Sequence, residues 1–363
     1  MLGMENMTKQ KSIQQSRGMR KLYAFGKKRS IDLSLSENPL GCSPLVTRVL
    51  QNNTIALNDY PAPNGRKLKN AVAEKLSCQS ENIFVCNGSE AIINIIPRIF
   101  TKPGDEVIIP SLTFPLFSTC SELAGLRVTL APMTENLAID LGLVLNIVSK
   151  KSKIIFICNP NNPTGSVLTR DDLERFIRQI PTSVLIVVDE ANIEFGGENV
   201  VDLALSAKNV IVLRTFSKGY GLANARIGFA VANKALITRL EEENPVFPVS
   251  GLSEELAIAA LQDDAFIAQT KLFIKTERNR IKQQLEVLGC TVFPSAANNL
   301  FVKLPDRISS SIFLSAMEKA DISLVNGSSF PGFDDSFFRV SPRTEKINTI
   351  FLNAVIQIMK GLE

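Results

Sequence analysis

The sequence has 363 residues, of which 45% are hydrophobic, and a formal net charge of +4; this length predicts two domains in a globular enzyme. It contains no histidine, which excludes a Ser-His-Asp triad, a histidine-ligated metal and a histidine general base. No apolar run approaches the ~20 residues that cross a bilayer, so the sequence predicts no membrane-spanning segment and no membrane partner.

The beginning of the chain is strongly basic. Residues 1–30 carry a net charge of +7, whereas the remainder carries −3. We interpret residues 1–35 as a basic N-terminal arm, and a solvated tail is its simplest form. A transit peptide and a nucleic-acid contact are the alternatives. Because the arm is too short for a DNA-binding domain, we predict no nucleic-acid partner.

Six cysteines are scattered along the chain, at positions 42, 78, 86, 120, 158 and 290. None forms a CxxC pair, so the pattern indicates neither a zinc site nor a disulfide framework. Cys86 and Cys158 lie in apolar runs, as reduced core residues do. We therefore predict a cytoplasmic protein without a metal.

After the arm, short apolar runs alternate with amphipathic stretches, which is typical of an α/β fold with a mainly parallel sheet covered on both faces. In such sheets, ligands bind at the carboxyl ends of the strands. We assign residues 36–250 to this large domain. Its seven predicted strands are residues 82–86, 106–109, 127–131, 154–158, 184–188, 210–213 and 228–232.

Past residue 250 the pattern changes to long helices separated by short strands. Residues 251–363 therefore predict a smaller α+β domain. The predicted helices are residues 253–261, 273–288 and 346–362, and the predicted strands are residues 299–303 and 337–340.

Three loops in the first third of the chain have the composition of binding loops. Tyr60 begins a rigid loop with two prolines, which alone is an ordinary surface connection. Gly88 and Ser89 open a helix, where free N–H groups bind anions, although Ser89 could simply cap that helix. Phe114 follows another strand and offers an aromatic face to a planar ring.

Two loops in the middle of the chain add polar groups at strand ends. Residues 159–165 contain two prolines and a glycine, which hold the Asn162 amide rigidly. Asp189 follows five apolar residues, so its carboxylate is partly desolvated and requires a cationic partner. A protonated pyridine nitrogen is such a partner.

The loop of residues 215–226 joins a hydroxyl, a lysine and an arginine directly after an apolar strand. A buried amine such as that of Lys218 forms a Schiff base with an aldehyde cofactor, and Ser217 and Arg226 suit a phosphate. A Gly-rich loop with a solvated lysine is the alternative. A dinucleotide site is disfavoured, because the third glycine of that fingerprint is replaced by Asn224.

In their chain order, these segments resemble the fold-type I pyridoxal-phosphate aminotransferases, in particular the histidinol-phosphate aminotransferase branch. The resemblance implies that family's fold and pyridoxal 5'-phosphate as the cofactor. It also implies a role in amino-acid biosynthesis, with an amino group moving between an amino acid or a histidinol-phosphate-like donor and a 2-oxo acid such as 2-oxoglutarate. The matching segments are residues 36–41, 60–63, 88–90, 159–165, 189–191, 217–226 and 294–298.

The resemblance also implies roles for individual residues. Lys218 would hold the cofactor and shuttle a proton, and Asp189 would keep the pyridine nitrogen protonated. Tyr60 would reach the cofactor phosphate of a partner subunit, which implies a homodimer. The remaining implied cofactor contacts are Gly88, Ser89, Glu90, Phe114, Asn162, Asn192, Ser217 and Arg226.

For the substrate, Arg339 would bind the α-carboxylate through a bidentate contact, assisted by Asn38 and Asn162. Three positions depart from the family pattern. Asn192 replaces a tyrosine that donates to the phenolic oxygen of the cofactor. Asn326 replaces an arginine that binds the substrate phosphate. The glycine that usually follows the Arg339 segment is also replaced, because Ser341 is followed by Pro342 and Arg343.

Two other functions remain open from the sequence. The departures at Asn192 and Asn326 would suit a decarboxylase, or an oxidase or cyclase of a specialised amino acid, on the same scaffold. A non-catalytic binding protein with a decayed site is the third hypothesis, although the presence of Lys218, Asp189, Asn162 and Arg226 argues against it.

Overall fold

The computed structural model describes residues 30–52, 55–334 and 336–362. The basic residues of the N-terminal arm, Lys9 to Arg29, lie outside this part of the chain. Within it, no helix combines the length and the apolar character that crossing a membrane requires.

Thirteen strands are found in the described residues, and they are numbered in chain order. They are β1 (Ile31–Asp32), β2 (Ile83–Cys86), β3 (Glu106–Pro110), β4 (Arg127–Ala131), β5 (Ser152–Cys158), β6 (Leu185–Asp189), β7 (Val210–Thr215), β8 (Gly228–Ala232), β9 (Thr291–Val292), β10 (Leu300–Lys303), β11 (Ile322–Ser323), β12 (Val325–Asn326) and β13 (Phe337–Val340). The α-helices are Pro44–Gln51, Arg66–Leu76, Ser89–Phe100, Leu116–Leu123, Leu141–Asn146, Arg170–Gln179, Val201–Ser206, Lys234–Glu241, Gly251–Leu261, Asp264–Val287, Ser310–Lys319 and Glu345–Leu362.

The largest sheet has seven strands in the order β2-β8-β7-β6-β5-β3-β4. Only β8 runs antiparallel to its neighbours; the other pairs are parallel. The predicted mainly parallel, seven-stranded sheet is therefore confirmed.

The central strands are apolar on both sides because each face of the sheet is covered. Ile155 and Ile157 of β5 belong to one core cluster, whereas Ile154 and Phe156 belong to the cluster on the opposite face. Successive side chains of a strand point to opposite faces. The continuous apolar run of this strand thus supplies two hydrophobic layers at once.

A second, antiparallel sheet has the order β12-β13-β10-β9. Its core includes Phe338 and Phe351. The short strand β1 pairs in parallel with β11, and Leu33, just beyond β1, is buried in the same core. The N-terminal segment therefore packs with the C-terminal part of the chain. The boundaries at residues 36 and 251 stay predictions.

The strand register brings the candidate site residues together. Cys158, the last residue of β5, pairs with Asp189, the last residue of β6, and Asp189 pairs with Leu213 near the end of β7. Because these three strands are parallel, their carboxyl ends lie at one edge of the sheet. The loops carrying Asn162 and Lys218 begin at this same edge.

Candidate active site

A cavity of about 410 Å³ lies at the carboxyl ends of the central strands. A volume of this size suits a small-molecule ligand. The predicted site residues that line it are Ser89, Glu90, Phe114, Asn162, Asp189, Asn192, Ser217, Lys218, Arg226 and Arg339. Side chains from both sheets therefore face one space.

Several hydrogen bonds fix the loop that carries Lys218. The Ser217 N–H donates to Thr215 Oγ1 (3.1 Å), and the Asn38 amide donates to the Gly219 carbonyl (2.8 Å). Gly221 has φ +71°, and a Cβ there would lie 1.8 Å from the carbonyl oxygen of Gly41. Only glycine allows this close approach, so the loop is held against residues 38–41.

The Lys218 amine is poised to lose its proton near neutral pH. Burial lowers the pKa of Lys218 to about 8, and the positive charges of Arg339 and Arg226 act in the same direction. Glu37 and Asp189 oppose the shift. A lysine amine that is neutral in an appreciable fraction of molecules is a nucleophile and a proton carrier.

Two adjacent acidic residues at the end of β6 have different partners. Glu190 accepts from Arg214 Nε (2.9 Å), Arg214 Nη2 (2.7 Å) and the Val200 N–H (2.7 Å). Asp189 is 3% exposed and accepts from the Ala191 N–H (3.0 Å), but it forms no ion pair within the described residues. Asp189 is therefore the carboxylate available to a cationic ligand.

The electrostatics of Asp189 agree with that assignment. Burial raises the pKa of Asp189 to about 7; the charge of Glu190 contributes to this rise, and the Ala191 N–H and Lys218 oppose it. A cationic group in the cavity would restore the charged form of this carboxyl. A protonated ring nitrogen fits this position chemically.

One end of the cavity is built for an anion. The helix Ser89–Phe100 has Gly88 at its N-cap and no side-chain hydrogen bond at that cap, so the alternative role of Ser89 as the cap is not observed. Gly88 has φ +78°, and a Cβ there would lie 2.9 Å from Arg226 Nη2. The arginine thus lies across the start of a helix, where N–H groups attract negative charge.

At another wall, Arg339 is 2% exposed. Its Nη1 donates to Asn162 Oδ1 (2.7 Å), and its Nη2 donates to the Ser34 carbonyl. The loop of Asn162 is itself anchored, because the buried Asn161 amide donates to the Leu112 carbonyl (2.9 Å). The arginine fork is thereby held in one orientation toward the cavity.

Asn192 provides a test of whether a polar planar ligand fits. Its side chain is 5% exposed, it lines the cavity, and its Oδ1 has no hydrogen-bond partner among the described residues. A buried polar atom normally has a partner. A polar cofactor in the cavity would supply one, so the lining fits a group with a cationic nitrogen, polar ring substituents and a phosphate.

Three predicted residues do not line the cavity. Gly88 lies just behind Ser89, and the amide of Asn38 is used to hold Gly219. Tyr60 is 82% exposed and stacks on Phe247 with 4.6 Å between the ring centroids. These positions leave the proposed contacts of Asn38 and Tyr60 as predictions.

The sequence reasoning missed several residues of the lining. Cys158 is the last residue of a predicted strand, Thr215 begins the loop of residues 215–226, and Glu37 lies within a segment that carried the family resemblance. The missed lining residues are Leu35, Ser36, Glu37, Cys158, Ala191, Thr215, Ala223 and Asn299.

Comparison with known proteins places this geometry in context. The family model "Aminotransferase class I and II" matches residues 28–355. A histidinol-phosphate aminotransferase of Methanococcus maripaludis strain C5 is 34% identical, with 93% of this chain and 92% of the relative covered. One from Moorella thermoacetica is also 34% identical, with 92% and 87% covered.

Solved structures agree with the sequence comparisons. The histidinol-phosphate aminotransferase of Sinorhizobium meliloti in complex with pyridoxal-5'-phosphate has a TM-score of 0.87 at 25% identity, with 93% of each chain covered. Aspartate aminotransferase from Thermus thermophilus with maleate has a TM-score of 0.80 at 20% identity, which shows the shared fold.

Proposed function

Because the chain belongs to the class I and II aminotransferases, and so uses pyridoxal phosphate, we propose that it moves an amino group between histidinol phosphate, or an amino acid, and a 2-oxo acid such as 2-oxoglutarate. One observation supports this most strongly: Lys218, Asp189 and Arg339 face a single cavity. The names of the relatives favour histidinol phosphate as the donor and histidine biosynthesis as the role.

Pyridoxal phosphate, when bound, supplies an aldehyde and a protonatable ring that accepts electrons from the substrate α-carbon. Lys218 would hold its aldehyde carbon, and the lowered pKa of the amine makes Nζ the proton carrier. The Asp189 carboxylate would keep the ring nitrogen protonated. Arg339 would orient the carboxylate of an amino-acid or 2-oxo-acid substrate with its fixed fork.

The other lining residues would hold the cofactor in place. Ser217, Arg226 and the N–H groups at Ser89 and Glu90 would bind the phosphate. The remaining proposed contacts are ring-directed: Phe114 against a ring face, Asn162 and Asn192 at polar ring substituents.

The comparisons favour transfer of an amino group over decarboxylation, oxidation or cyclisation. Three relatives that are 33–34% identical over more than nine-tenths of this chain carry the name histidinol-phosphate aminotransferase. A decarboxylase of L-threonine-O-3-phosphate shares the fold at 22% identity. That level of identity supports a common scaffold and no more.

We expect a donor screen to identify the reaction. Protein loaded with pyridoxal phosphate is incubated with histidinol phosphate or with each amino acid, in the presence of 2-oxoglutarate. The near-visible absorbance of the bound cofactor reports which donor reacts, and glutamate is measured in parallel. We expect histidinol phosphate to yield one glutamate per donor consumed. Consumption of a donor without glutamate would show a different reaction type.

The same proposal includes a homodimer in which Tyr60 serves the partner's site. The support is the exposure of an aromatic side chain: Tyr60 is 82% exposed, Phe247, on which it stacks, is 40% exposed, and Leu57, three positions earlier in the sequence, is 81% exposed. Apolar side chains exposed together mark an interaction surface. A tyrosine hydroxyl on that surface can donate to a phosphate across a two-fold axis.

Mixing a variant with weakened cofactor binding and a variant without the lysine tests the shared site. We expect Tyr60→Ala alone to release cofactor more readily, because a hydrogen bond to a charged group contributes about 1.5–3 kcal/mol. The variant is then mixed 1:1 with Lys218→Ala so that the subunits exchange. About half of the dimers should then be mixed, and one of the two sites in each mixed dimer is intact, so roughly a quarter of the wild-type sites should be regained. Turnover and bound cofactor are measured before and after mixing. No recovery in exchanged dimers would place Tyr60 at its own subunit's site.

We also propose a cytoplasmic location. All six cysteines are free thiols, and Cys86, Cys120, Cys158 and Cys290 are buried. Free thiols persist in reducing compartments.

A further inference from the structure

An ion pair at the cavity wall involves an arginine that departs from the family pattern. Arg343 Nη1 lies 2.6 Å from Glu37 Oε2, and Glu37 lines the cavity. The Glu37 carboxylate therefore lies between the Arg343 guanidinium and the cavity. Its Nε and Nη2 form no further hydrogen bond within the described residues.

The backbone of Arg343 is held firmly. Its N–H donates to Asn348 Oδ1 (2.7 Å), and its carbonyl accepts from Asn348 Nδ2 (2.7 Å). Asn348 is fully buried and also donates to Glu277 Oε2 (2.7 Å). A satisfied buried network of this kind fixes the position from which the arginine side chain extends.

Glu37 is a partner that can be exchanged. Its side chain is 44% exposed, whereas that of Arg343 is 25% exposed. A pair exposed to this degree contributes little to stability because water competes for both charges. A more strongly charged anion in the cavity can therefore replace Glu37 on the guanidinium while Glu37 turns toward solvent.

Position 326, where the family pattern has an arginine, does not supply a cation to this cavity. Asn326 does not line the cavity, and its Oδ1 accepts from the Ser328 N–H (2.9 Å). Arg343 follows β13, the strand that carries Arg339. Both arginines contact the segment after β1, since Arg339 donates to Ser34 and Arg343 to Glu37. Arg343 is thus a second arginine, besides Arg339, at the wall of the cavity formed by residues 35–37.

We propose that Arg343 binds an anionic group of the substrate away from the reacting carbon, and that this group displaces Glu37 from the guanidinium. This group is a phosphate monoester on the donor or the second carboxylate of a dicarboxylic 2-oxo acid. The inference rests on the proposed function, because it assigns a further contact within the same cavity. Glu37 then acts as a competitor that rejects substrates with too little charge.

Binding of unreactive acids to cofactor-loaded protein tests the inference without turnover. Glutarate carries two carboxylates and butyrate one, and the shift of the cofactor absorbance or of the melting temperature gives each dissociation constant. We expect the preference for glutarate over butyrate to fall about 10-fold or more in Arg343→Gln, since a charge-assisted contact is lost. In Glu37→Gln we expect the preference to rise, because the competing carboxylate is gone.

Arg178→Gln is the matched control. Arg178 pairs with Glu174 on the exposed face of the helix Arg170–Gln179, and neither residue lines the cavity. The same substitution there should leave the preference unchanged. The inference is overturned if Arg343→Gln retains the wild-type preference, or if the Arg343 and Glu37 variants both lower it. The second result would mean that Arg343 serves only to hold Glu37.

Two kinetic comparisons identify the source of the anion. One compares kcat/KM for histidinol phosphate and unphosphorylated histidinol, and the other compares 2-oxoglutarate and pyruvate. A selectivity loss in Arg343→Gln confined to the phosphate pair assigns the contact to the donor, and one confined to the dicarboxylate pair assigns it to the acceptor. If wild-type protein transfers no amino group while glutarate binding responds as expected, the proposed function fails and the Arg343 site stands.

Discussion

Replacing Lys218 with alanine is expected to lower kcat by about 10⁴-fold or more, because the change removes both the covalent anchor and the proton carrier. The lysine is positioned for both roles. It lines the cavity, and burial with the nearby charge of Arg339 lowers the pKa of its amine to about 8. Without a histidine in the chain, no imidazole is available to take over the proton transfer.

Spectroscopy separates this effect from simple unfolding. The Lys218→Ala variant should bind pyridoxal phosphate without the near-visible band of the wild-type protein, while its melting temperature remains similar. Lys234→Ala is the matched control, since Lys234 forms an exposed ion pair with Glu81 and does not line this cavity. Loss of a catalytic group should lower turnover by more than about 10-fold. If Lys218→Ala kept turnover within that range of the wild type, the assigned role would be contradicted.

The pattern of apolar runs was sufficient to predict the main sheet. The predicted strands 127–131, 228–232 and 337–340 coincide with β4, β8 and β13. The fifth predicted strand was displaced by one residue, because β6 runs from Leu185 through Asp189. Asp189 continues the ladder as the partner of Leu213, and hydropathy alone does not reveal that a charged residue ends a buried strand.

Much of the candidate site was also predictable, because parallel strands bring their carboxyl ends together whatever loops connect them. That rule placed Asn162, Asp189 and Lys218 near one another, as the cavity lining has them. The sequence could not show pairings set by tertiary packing. Glu37 and Arg343 are 306 positions apart, and no local pattern relates them.

The position of a residue in a motif also does not show which groups its side chain contacts. Asn38 matched a substrate-binding segment, yet its amide donates to the Gly219 carbonyl and to Thr270 Oγ1. It therefore supports the Lys218 loop, and its contact with the substrate stays a prediction. The hydrogen bond to Thr270 depends on how helix Asp264–Val287 packs, which sequence spacing does not encode.

Replacing Asp189 with asparagine should have opposite effects on activity and on the stability of the cofactor-free protein. Activity should fall about 10²–10³-fold, because the ring nitrogen loses its anionic partner. In the cofactor-free protein, burial raises the pKa of Asp189 from 3.8 to about 7. A carboxyl with a raised pKa in the folded state favours folding below its unfolded pKa, and this contribution is lost as the pH rises through about 7.

The asparagine side chain carries no charge at any of these pH values. At pH 8 we therefore expect cofactor-free Asp189→Asn to be more stable than the wild type by about 2–4 kcal/mol, and at pH 4 to be nearly equal. Urea denaturation at the two pH values measures the difference. Glu194, whose pKa burial also raises to about 7, titrates in both proteins and cancels from the comparison.

Glu190→Gln provides the contrast, since it neutralises the neighbouring carboxyl. Glu190 is bonded to the guanidinium of Arg214, so its loss leaves that largely buried cation without its hydrogen-bonded carboxylate and should destabilise the protein by about 3–5 kcal/mol. Two adjacent acids would then respond with opposite signs because, of the two, only Glu190 is hydrogen-bonded to a cationic side chain among the described residues. If Asp189→Asn also destabilised the cofactor-free protein at pH 8, the protein itself would already stabilise the charged carboxylate. The inference that Asp189 requires a cationic ligand would then be contradicted.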